Sequence, residues 1–262
     1  SITIGVISKY DNCDEAYLSI KEALVRSAIS NDVKINIKWI KAEDLEKYKD
    51  MRGMHKYFEN VAGVIVPGGF DSRGIEGKIK AIQYVREKKI PFLGICLGLQ
   101  CTVIEFARNI CNLKNANSVE FDKDTQFPVI HFVEGQENIK NKSETMRLGA
   151  YDCELEKDSM ACQIYGKKLI SERHRHRYEV NPKFIEQIEK NGLKVSGTNP
   201  ESGLVEIIEL DRDIHPYFIA CQFHPEFKSR IDTPHPLFDE FVKSSFKYKS
   251  LETPSEMILN VA

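Results

Sequence analysis

The chain has 262 residues, 42% of them hydrophobic and 29% charged, with a formal net charge of -2. This length suits one large domain or two small ones with a sizeable core. The nearly balanced charge gives no electrostatic reason to expect nucleic acid or an anionic membrane as a partner. No apolar run approaches the roughly 20 residues of a membrane-spanning helix.

The start of the chain and its cysteines indicate where it works. Residues 1–6 lack the basic segment and cleavage site of a secretory signal, and they read directly as a strand. Because the sequence begins without Met, we expect it to have been cut from a longer chain. The seven cysteines have no repeating spacing and no C-x-x-C pair. This pattern favours a reduced, cytoplasmic protein without structural zinc.

In the first half, short β-branched runs alternate with helical patterns. Strands are predicted at 2–8, 33–40, 61–66 and 91–95, and helices at 14–27, 43–49, 76–88 and 97–106. This order predicts an α/β fold with a doubly wound, mostly parallel central sheet flanked by helices. Ligands bind beyond the carboxyl ends of such strands. We therefore expect the turn at 67–69 and Cys96, which both follow strands, to share one site.

The second half is less regular. Strands are predicted at 127–133, 146–155, 171–180, 193–197, 205–210 and 217–223, and helices at 182–191 and 236–248. We expect these strands to supply an additional, smaller antiparallel sheet. Residues 134–144 are polar without periodicity, which is typical of a surface loop. The domain is predicted to span 1–248, followed by a flexible tail at 249–262.

A cysteine between two glycines is the first candidate for chemistry. Cys96 lies in Gly94-Ile95-Cys96-Leu97-Gly98, between a predicted strand and a predicted helix. This is the strand–turn–helix arrangement of a nucleophile elbow, with cysteine in place of serine. The turn sets the sulfur at a helix N-terminus, where the dipole favours thiolate. We predict that Cys96 is the nucleophile and that the other six cysteines, which lack such a turn, are packing residues.

Two further segments complete this chemistry. His224 follows a predicted strand, and the carboxylate of Glu226 can bend back to its far ring nitrogen and fix the tautomer. Taken alone, His-Pro-Glu is more typical of a turn with a solvated carboxylate. The glycine pair before Phe70 can offer the Gly69 N–H as half of an oxyanion hole, with the Leu97 N–H as the other half. The alternative for that pair is an ordinary turn at a strand end.

The run Arg173-His174-Arg175-His176-Arg177 alternates basic residues. On a strand the arginines share one side and the histidines the other. The arginine side can bind a substrate carboxylate or a nucleotide phosphate, or it forms only solvated ion pairs. The His-x-His pair has no evident third ligand, so we predict no metal site.

These motifs carry a family resemblance. Residues 94–100, read with Phe-His-Pro-Glu at 223–226, resemble the class I, triad-type glutamine amidotransferases. Segments at 67–77, 115–121, 145–149, 172–181 and 221–227 closely resemble the glutaminase domains of CTP synthases. The resemblance runs from about residue 2 to residue 248.

The resemblance implies a class I amidotransferase fold and a role for each site residue. Cys96 is the nucleophile, His224 the general base and acid, and Glu226 its orienting carboxylate. The oxyanion amides belong to Gly69 and Leu97. The substrate L-glutamine packs against Phe70, and its α-amino and α-carboxylate groups are held by Gln100, Glu120 and Arg177. Arg147 lies in a segment that the family links to activation by GTP.

The resemblance also implies partners. Ammonia from glutamine passes to an amidoligase (synthetase) domain, which aminates UTP to CTP in pyrimidine nucleotide biosynthesis. That domain precedes this one in the family, and we expect it to be absent from this chain. We therefore expect no cofactor in this domain, with ATP, Mg²⁺ and UTP on the synthetase domain and GTP as a candidate allosteric activator. The full-length enzyme is expected to be an oligomer in the cytoplasm, with no nucleic acid or membrane partner.

One position departs from the family pattern, and two alternatives stay open. Asp71 stands where the family has a glycine, which stiffens the loop and adds a negative charge at the glutamine mouth. The chain can instead serve another synthase or act as a free γ-glutamyl hydrolase. It can also be a regulatory or assembly module that keeps the fold without turnover, although the intact Cys, His and Glu disfavour this.

Overall fold

A computed structural model describes residues 1–9, 13–70, 72–132 and 146–252. Its strands are β1 (Ile2–Ser8), β2 (Ile35–Lys41), β3 (Gly63–Val66), β4 (Phe92–Ile95), β5 (Asn117–Ser118), β6 (Pro128–Phe132), β7 (Arg147–Leu155), β8 (Leu169–His176), β9 (Tyr178–Val180), β10 (Lys194–Thr198), β11 (Val205–Glu209) and β12 (Phe218–Cys221). The helices are α1 (Cys13–Ala16), α2 (Leu18–Ser30), α3 (Ala42–Glu46), α4 (His55–Phe58), α5 (Ile75–Lys88), α6 (Leu97–Asn109), α7 (Met160–Tyr165), α8 (Ile185–Lys190) and α9 (Pro236–Glu252). Single 3₁₀ turns occupy Arg52–Met54, Pro182–Phe184 and Pro225–Phe227.

The strands form one large sheet and one small sheet. The large sheet has the order β2-β1-β3-β4-β12-β11-β10-β7-β8. Its pairs are parallel from β2 to β12 and antiparallel from β12 to β8. The small sheet, β5-β6-β9, has one parallel and one antiparallel pair. The α/β prediction is confirmed, with the difference that most antiparallel strands extend the large sheet.

Alternation along the central strands builds a core on each face of the large sheet. Val64 and Val66 pack with α5 and α6 on one face, whereas Ile65, between them, packs with α2 and α9 on the other. Successive side chains of a strand point to opposite faces, so a strand covered on both sides reads as an apolar run. The predicted runs at 61–66 and 91–95 are apolar for this reason.

Several predicted elements differ in extent. The helix predicted at 14–27 is divided at Tyr17 between α1 and α2. The strand predicted at 171–180 is divided at Arg177, with β8 in the large sheet and β9 in the small one. Helix α9 continues through residues 249–252, which the sequence assigns to a tail. The predicted loop at 134–144, residues 253–262 and Asp71 lie outside the described residues.

Within the described ranges, none of the helices combines the length and the apolar character needed to cross a bilayer.

Candidate active site

Cys96 occupies a strained turn between β4 and α6. Its φ is +52° and its ψ is -102°, a combination that costs a residue with a Cβ of order 1–3 kcal/mol. The backbone around it is firmly bonded, since its N–H donates to the Cys221 carbonyl at 2.7 Å and its carbonyl accepts from the Leu99 N–H at 3.0 Å. The residue is only 6% exposed. The strain persists because both the sheet and the helix hold this turn.

The two flanking glycines are required by close approach. A Cβ on Gly98 would lie 2.1 Å from the Val66 carbonyl oxygen, and a Cβ on Gly94 would lie 2.7 Å from the Ala220 Cβ. Both distances are shorter than any tolerable contact. Glycine at these positions lets α6 start directly against the ends of β3 and β12.

His224 and Glu226 lie beside this turn. The backbone N–H of His224 donates to the Arg173 carbonyl at 2.8 Å, and this bond fixes the segment after β12 to β8. Nδ1 of His224 lies 2.7 Å from Oε1 of Glu226. The His224 ring also stacks on Phe227, with 5.2 Å between centroids. The backbone of His224 is therefore fixed by Arg173, and its ring is fixed by Glu226 at Nδ1 and by Phe227 against one face.

Charge dominates the state of His224. Burial by itself lowers the pKa of this imidazole, but Cys96, through charge and a hydrogen bond, and Glu226 outweigh burial and raise it to about 11. Opposite charges within a few ångströms favour the charged form of each partner. At neutral pH the His224 side chain is therefore an imidazolium, between Glu226 and Cys96.

The glycine turn after β3 faces the same point. A Cβ on Gly68 would lie 2.9 Å from Cε1 of His224 and 3.5 Å from the Cβ of Cys96. Two buried lysines hold the turn, since Nζ of Lys78 donates to the Pro67 carbonyl at 2.9 Å and Nζ of Lys9 donates to the Phe70 carbonyl. The loop thus lies against the catalytic candidates with its carbonyl groups tied back.

A cavity of about 180 Å³ joins these groups. It is lined by five residues from the sequence prediction, namely Gly69, Phe70, Cys96, His224 and Glu226. It is also lined by Tyr17 and Phe227, to which sequence analysis gave no role, and by Arg175, one of the three arginines predicted to share one side of a strand. Arg175 lies on the exposed side of β8 with its guanidinium 5.6 Å from the Phe70 ring centroid. The alternation along 173–177 predicts a shared arginine side, and the structure brings Arg175 of that side to the cavity.

The other residues implied for glutamine binding lie outside the lining of this cavity. Leu97 is buried, and its Cδ2 lies 3.4 Å from where a Gly69 Cβ would be. Nε2 of Gln100 donates to the Tyr178 carbonyl at 3.0 Å. Burial raises the pKa of Tyr178, Glu120 raises it further and Arg177 lowers it. Gln100, Glu120 and Arg177 therefore gather around Tyr178, where the small sheet meets α6, and their binding role stays a prediction.

Arg147 lies in a buried charge cluster. Its guanidinium donates to Glu179 at 3.1 Å and to Glu206 at 2.8 Å. The cluster includes the two histidines of the basic run, since Nδ1 of His176 lies 3.3 Å from Oε1 of Glu179 and Nε2 of His174 lies 3.6 Å from Oε2 of Glu206. Burial lowers the pKa of His174 to about 3, so this imidazole is neutral. Arg147 is 8% exposed and turned toward carboxylates, and a link to GTP stays a prediction.

Several of the other cysteines lie where burial disfavours the thiolate. The six cysteines whose side chains are described are free thiols, and only Cys162 is partly exposed. Burial raises the pKa of Cys101 to about 12 and that of Cys221 well above its usual value. In the described ranges no group of three or more His, Cys, Asp or Glu residues could hold a metal ion.

Comparison with known proteins assigns the family. The model of the family "Glutamine amidotransferase class-I" matches residues 13–244. The chain belongs to the class-I glutamine amidotransferase family. A solved structure of the Trypanosoma brucei CTPS glutaminase domain with bound acivicin has a TM-score of 0.87 and 34% identity, with 94% of each chain covered. Within the family, the chain therefore belongs with the glutaminase domains of CTP synthases.

Longer relatives agree with this assignment. The chain is 52% identical over 250 residues to the CTP synthase of Methanococcus aeolicus, covering 95% of this chain and 46% of that protein. It is also 52% identical over 247 residues to the CTP synthase of Chlorobaculum parvum, covering 94% of this chain and 43% of that protein. The chain thus spans less than half the length of these relatives.

Proposed function

We propose that this chain hydrolyses L-glutamine to glutamate and ammonia through a γ-glutamyl thioester on Cys96. One observation carries the proposal: a strained, cavity-facing cysteine shares its site with a histidine whose far nitrogen is bonded to a carboxylate. Nucleophile, base and orienting group in this sequence of contacts are the requirements for covalent acyl transfer. The family assignment identifies the acyl donor as the side-chain amide of glutamine, so the acyl group transferred to Cys96 is the γ-glutamyl group.

The first half of the reaction uses Cys96 as a thiolate and His224 as an imidazolium. The Cys96 thiolate attacks the side-chain amide carbon, and the carbonyl electrons move onto oxygen, where the Gly69 and Leu97 N–H groups donate to the oxyanion. The His224 imidazolium gives its proton to the amide nitrogen. The carbonyl re-forms, the C–N bond breaks, and ammonia leaves a thioester behind.

The second half returns the enzyme to its starting state. Neutral His224 takes a proton from water as the water oxygen attacks the thioester carbon. Collapse of this intermediate breaks the C–S bond, releases the Cys96 thiolate and leaves a γ-carboxylic acid that loses its proton to solvent. Glu226 keeps Nδ1 protonated throughout and stabilises the imidazolium.

The amino-acid end of glutamine fits the residues around Tyr178. We assign its α-carboxylate to Arg177, its α-ammonium group to Glu120 and Gln100, and its aliphatic stem to Phe70. A guanidinium–carboxylate contact and a carboxylate–ammonium contact are the charge-assisted bonds that such a substrate needs. These contacts select a free amino acid over a simple amide.

We also infer that the ammonia serves a CTP synthase amidoligase domain that aminates UTP. The lengths of the named relatives support this, because each is about twice as long as the aligned region. ATP, Mg²⁺ and UTP would bind on that domain, and GTP is proposed as the activator of this one. Free thiols fit a reducing compartment, which we propose to be the cytoplasm. We also propose that the full-length enzyme is an oligomer.

Labelling tests the nucleophile without any need for turnover. A diazo ketone analogue of glutamine should form one thioether on Cys96, located by peptide mass spectrometry, and excess glutamine should protect the thiol. Cys96→Ala should take up no label, whereas Cys162→Ala, which changes a partly exposed thiol, should label as the wild type does. A label on Cys101 would refute the assignment.

Ammonia release tests the reaction itself. Cys96→Ala should reduce release from glutamine to background, because removing a nucleophile costs several orders of magnitude in kcat. Retention of about a tenth of the wild-type rate would contradict the mechanism. Measuring release with and without a CTP synthase amidoligase domain then tests the proposed partner.

A further inference from the structure

Gln222, the second residue before His224, contacts the reactive sulfur. Its Nε2 lies 3.6 Å from Sγ of Cys96, within the range of an N–H···S hydrogen bond. The side chain is fully buried, and its backbone N–H donates to the Glu206 carbonyl at 2.8 Å. Gln222 therefore has no solvent to turn toward, and its amide group is committed to its neighbours.

The orientation of the Gln222 amide follows from the neighbouring bonds. The Tyr178 carbonyl can only accept, so the atom of Gln100 that lies 3.0 Å away must be its Nε2. The second hydrogen of that nitrogen points to Oε1 of Gln222 at 3.3 Å. This contact leaves the NH₂ group of Gln222 facing Cys96. A reversed amide would set an oxygen against the sulfur and two NH₂ groups against each other.

We propose that Gln222 is a catalytic residue that donates a hydrogen bond to the Cys96 thiolate, and that Gln100 is the positioning residue that orients it. The inference rests on the proposed function, because it needs Cys96 to react as a thiolate. A donor aimed at sulfur stabilises the charged form. It acts when the resting thiolate forms and again when the thioester breaks and the sulfur leaves.

The bond sequence also joins the two ends of the site. It runs from the Tyr178 carbonyl through Gln100 and Gln222 to the sulfur, and Tyr178 is the residue around which Glu120 and Arg177 gather. A ligand that moves the Tyr178 peptide unit would therefore change the donor on Cys96. The nucleophile is linked to the predicted amino-acid end of the substrate by three polar contacts.

Alkylation of Cys96 by iodoacetamide across pH tests this without glutamine or turnover. Gln222→Met keeps the volume and removes the donor, so the profile should move to higher pH. On its rising part, the rate at fixed pH should fall about tenfold, since charge-assisted hydrogen bonds are worth about one pH unit or more of proton affinity. The plateau at high pH should not fall, because a less stabilised thiolate is the stronger nucleophile. Peptide mass spectrometry separates Cys96 from the other thiols.

Further variants test the orientation and guard against misfolding. Gln100→Met should move the profile in the same direction, and the double variant should move it no further than the larger single effect. Gln222→Glu keeps the acceptor for Gln100 but puts a carboxylate near the sulfur, so it should move the profile at least as far. Gln163→Met, which changes an exposed glutamine of α7, should superimpose on the wild type.

The outcomes are distinct. Superposition of both Gln222 variants on the wild-type profile would overturn the catalytic role of Gln222. A displaced Gln222→Met profile with an unchanged Gln100→Met profile would overturn the orienting role of Gln100. Equal loss of rate at every pH, with a lowered melting temperature, would show a structural role alone and would also overturn the proposal. None of these results depends on glutamine, whose role is tested separately by labelling and ammonia release.

Discussion

Oε1 of Glu226 lies 2.7 Å from Nδ1 of His224, two residues before it, and leaves the opposite ring nitrogen for Cys96. Pro225 makes this possible, because the 3₁₀ turn Pro225–Phe227 folds the chain back on itself immediately after the histidine. A contact between residues two apart needs no long-range folding to bring its members together. The base and its orienting carboxylate are thus delivered as one local unit at the end of β12.

Glu226→Gln should keep this shape and remove the charge. One of the causes that raise the pKa of His224 to about 11 is then lost, so the imidazolium should deprotonate at lower pH. We expect kcat for ammonia release to fall about 10²–10⁴-fold, as for other orienting carboxylates. Steady-state rates from pH 6 to 10 should show the alkaline limb displaced to lower pH.

A surface carboxylate provides the control for that measurement. Glu240 pairs with Arg212 at 2.9 Å on an exposed face, so Glu240→Gln should leave both rate and pH profile unchanged. An unaltered profile for Glu226→Gln would contradict its role at His224.

Arg177→Ala should affect glutamine binding. If the guanidinium holds the α-carboxylate, its loss removes a charge-assisted contact worth about 1.5–3 kcal/mol, and KM for glutamine should rise about 10–150-fold. Arg173→Ala, on the exposed side of neighbouring β8, is the matched control and should leave KM unchanged. Equal KM values for the two variants would remove Arg177 from the binding site.

Local patterns made some of this site predictable, and long-range contacts account for the rest. The Cys96 elbow and the His224–Glu226 turn are encoded within a few residues, so spacing was sufficient. The contact between Cys96 and Gln222 joins residues 126 positions apart and depends on the pairing of β4 with β12. The strand predicted at 171–180 is likewise divided at Arg177, because its first part pairs in the large sheet and its second part in the small sheet.

Helix α7 shows the same limit in another form. It has six residues, too few for a helix to be stable by itself. Its first amides are capped from a distance, because Oε1 of Glu209 accepts from the Met160 N–H at 2.6 Å and Oε2 from the Ala161 N–H at 3.0 Å. A helix that depends on a carboxylate from another strand leaves no periodic pattern strong enough to be recognised.

Gly98→Ala should displace the elbow. Its new Cβ would meet the Val66 carbonyl oxygen, an immobile backbone atom, at 2.1 Å. Overpacking of this kind costs about 1–3 kcal/mol, and the shift of α6 should lower the Cys96 labelling rate as well. Urea unfolding and labelling kinetics measure the two effects.

Gly166→Ala separates close approach from backbone strain. Gly166 caps α7 at φ +65° with open space around its Cβ position, so alanine there should cost stability of about 1 kcal/mol without changing labelling. Equal labelling rates for the Gly98 and Gly166 variants would show that the elbow tolerates the extra methyl group.

Arg147→Met should be strongly destabilising. It leaves the buried carboxyl groups of Glu179 and Glu206 without the guanidinium to which both are hydrogen-bonded, and breaking such a cluster costs about 3–5 kcal/mol. Arg212→Met removes an exposed partner of Glu240 and should cost less than about 1 kcal/mol. The free energy of unfolding in urea at pH 7 compares the two. Similar values for both would show that the cluster does not stabilise the junction between the sheets.

Glu179→Gln should change how stability depends on pH. Burial, opposed by Arg147 and assisted by Glu206, raises the pKa of Glu179 from 4.5 to about 8. The folded protein therefore holds this proton more tightly than the unfolded chain, and the stabilisation is complete below about pH 4.5 and lost as pH rises through about 8. The side-chain amide that replaces this carboxyl group in Glu179→Gln does not titrate. Relative to wild type, the variant should gain roughly 2–4 kcal/mol of unfolding free energy between pH 5 and pH 9, at about 1.4 kcal/mol for each pKa unit.

Glu154→Gln, which changes a carboxylate that is 46% exposed and paired with Lys168, should give a constant difference over the same range. Parallel stability curves for wild type and Glu179→Gln would show that this carboxyl group is already ionised in the folded protein at pH 5.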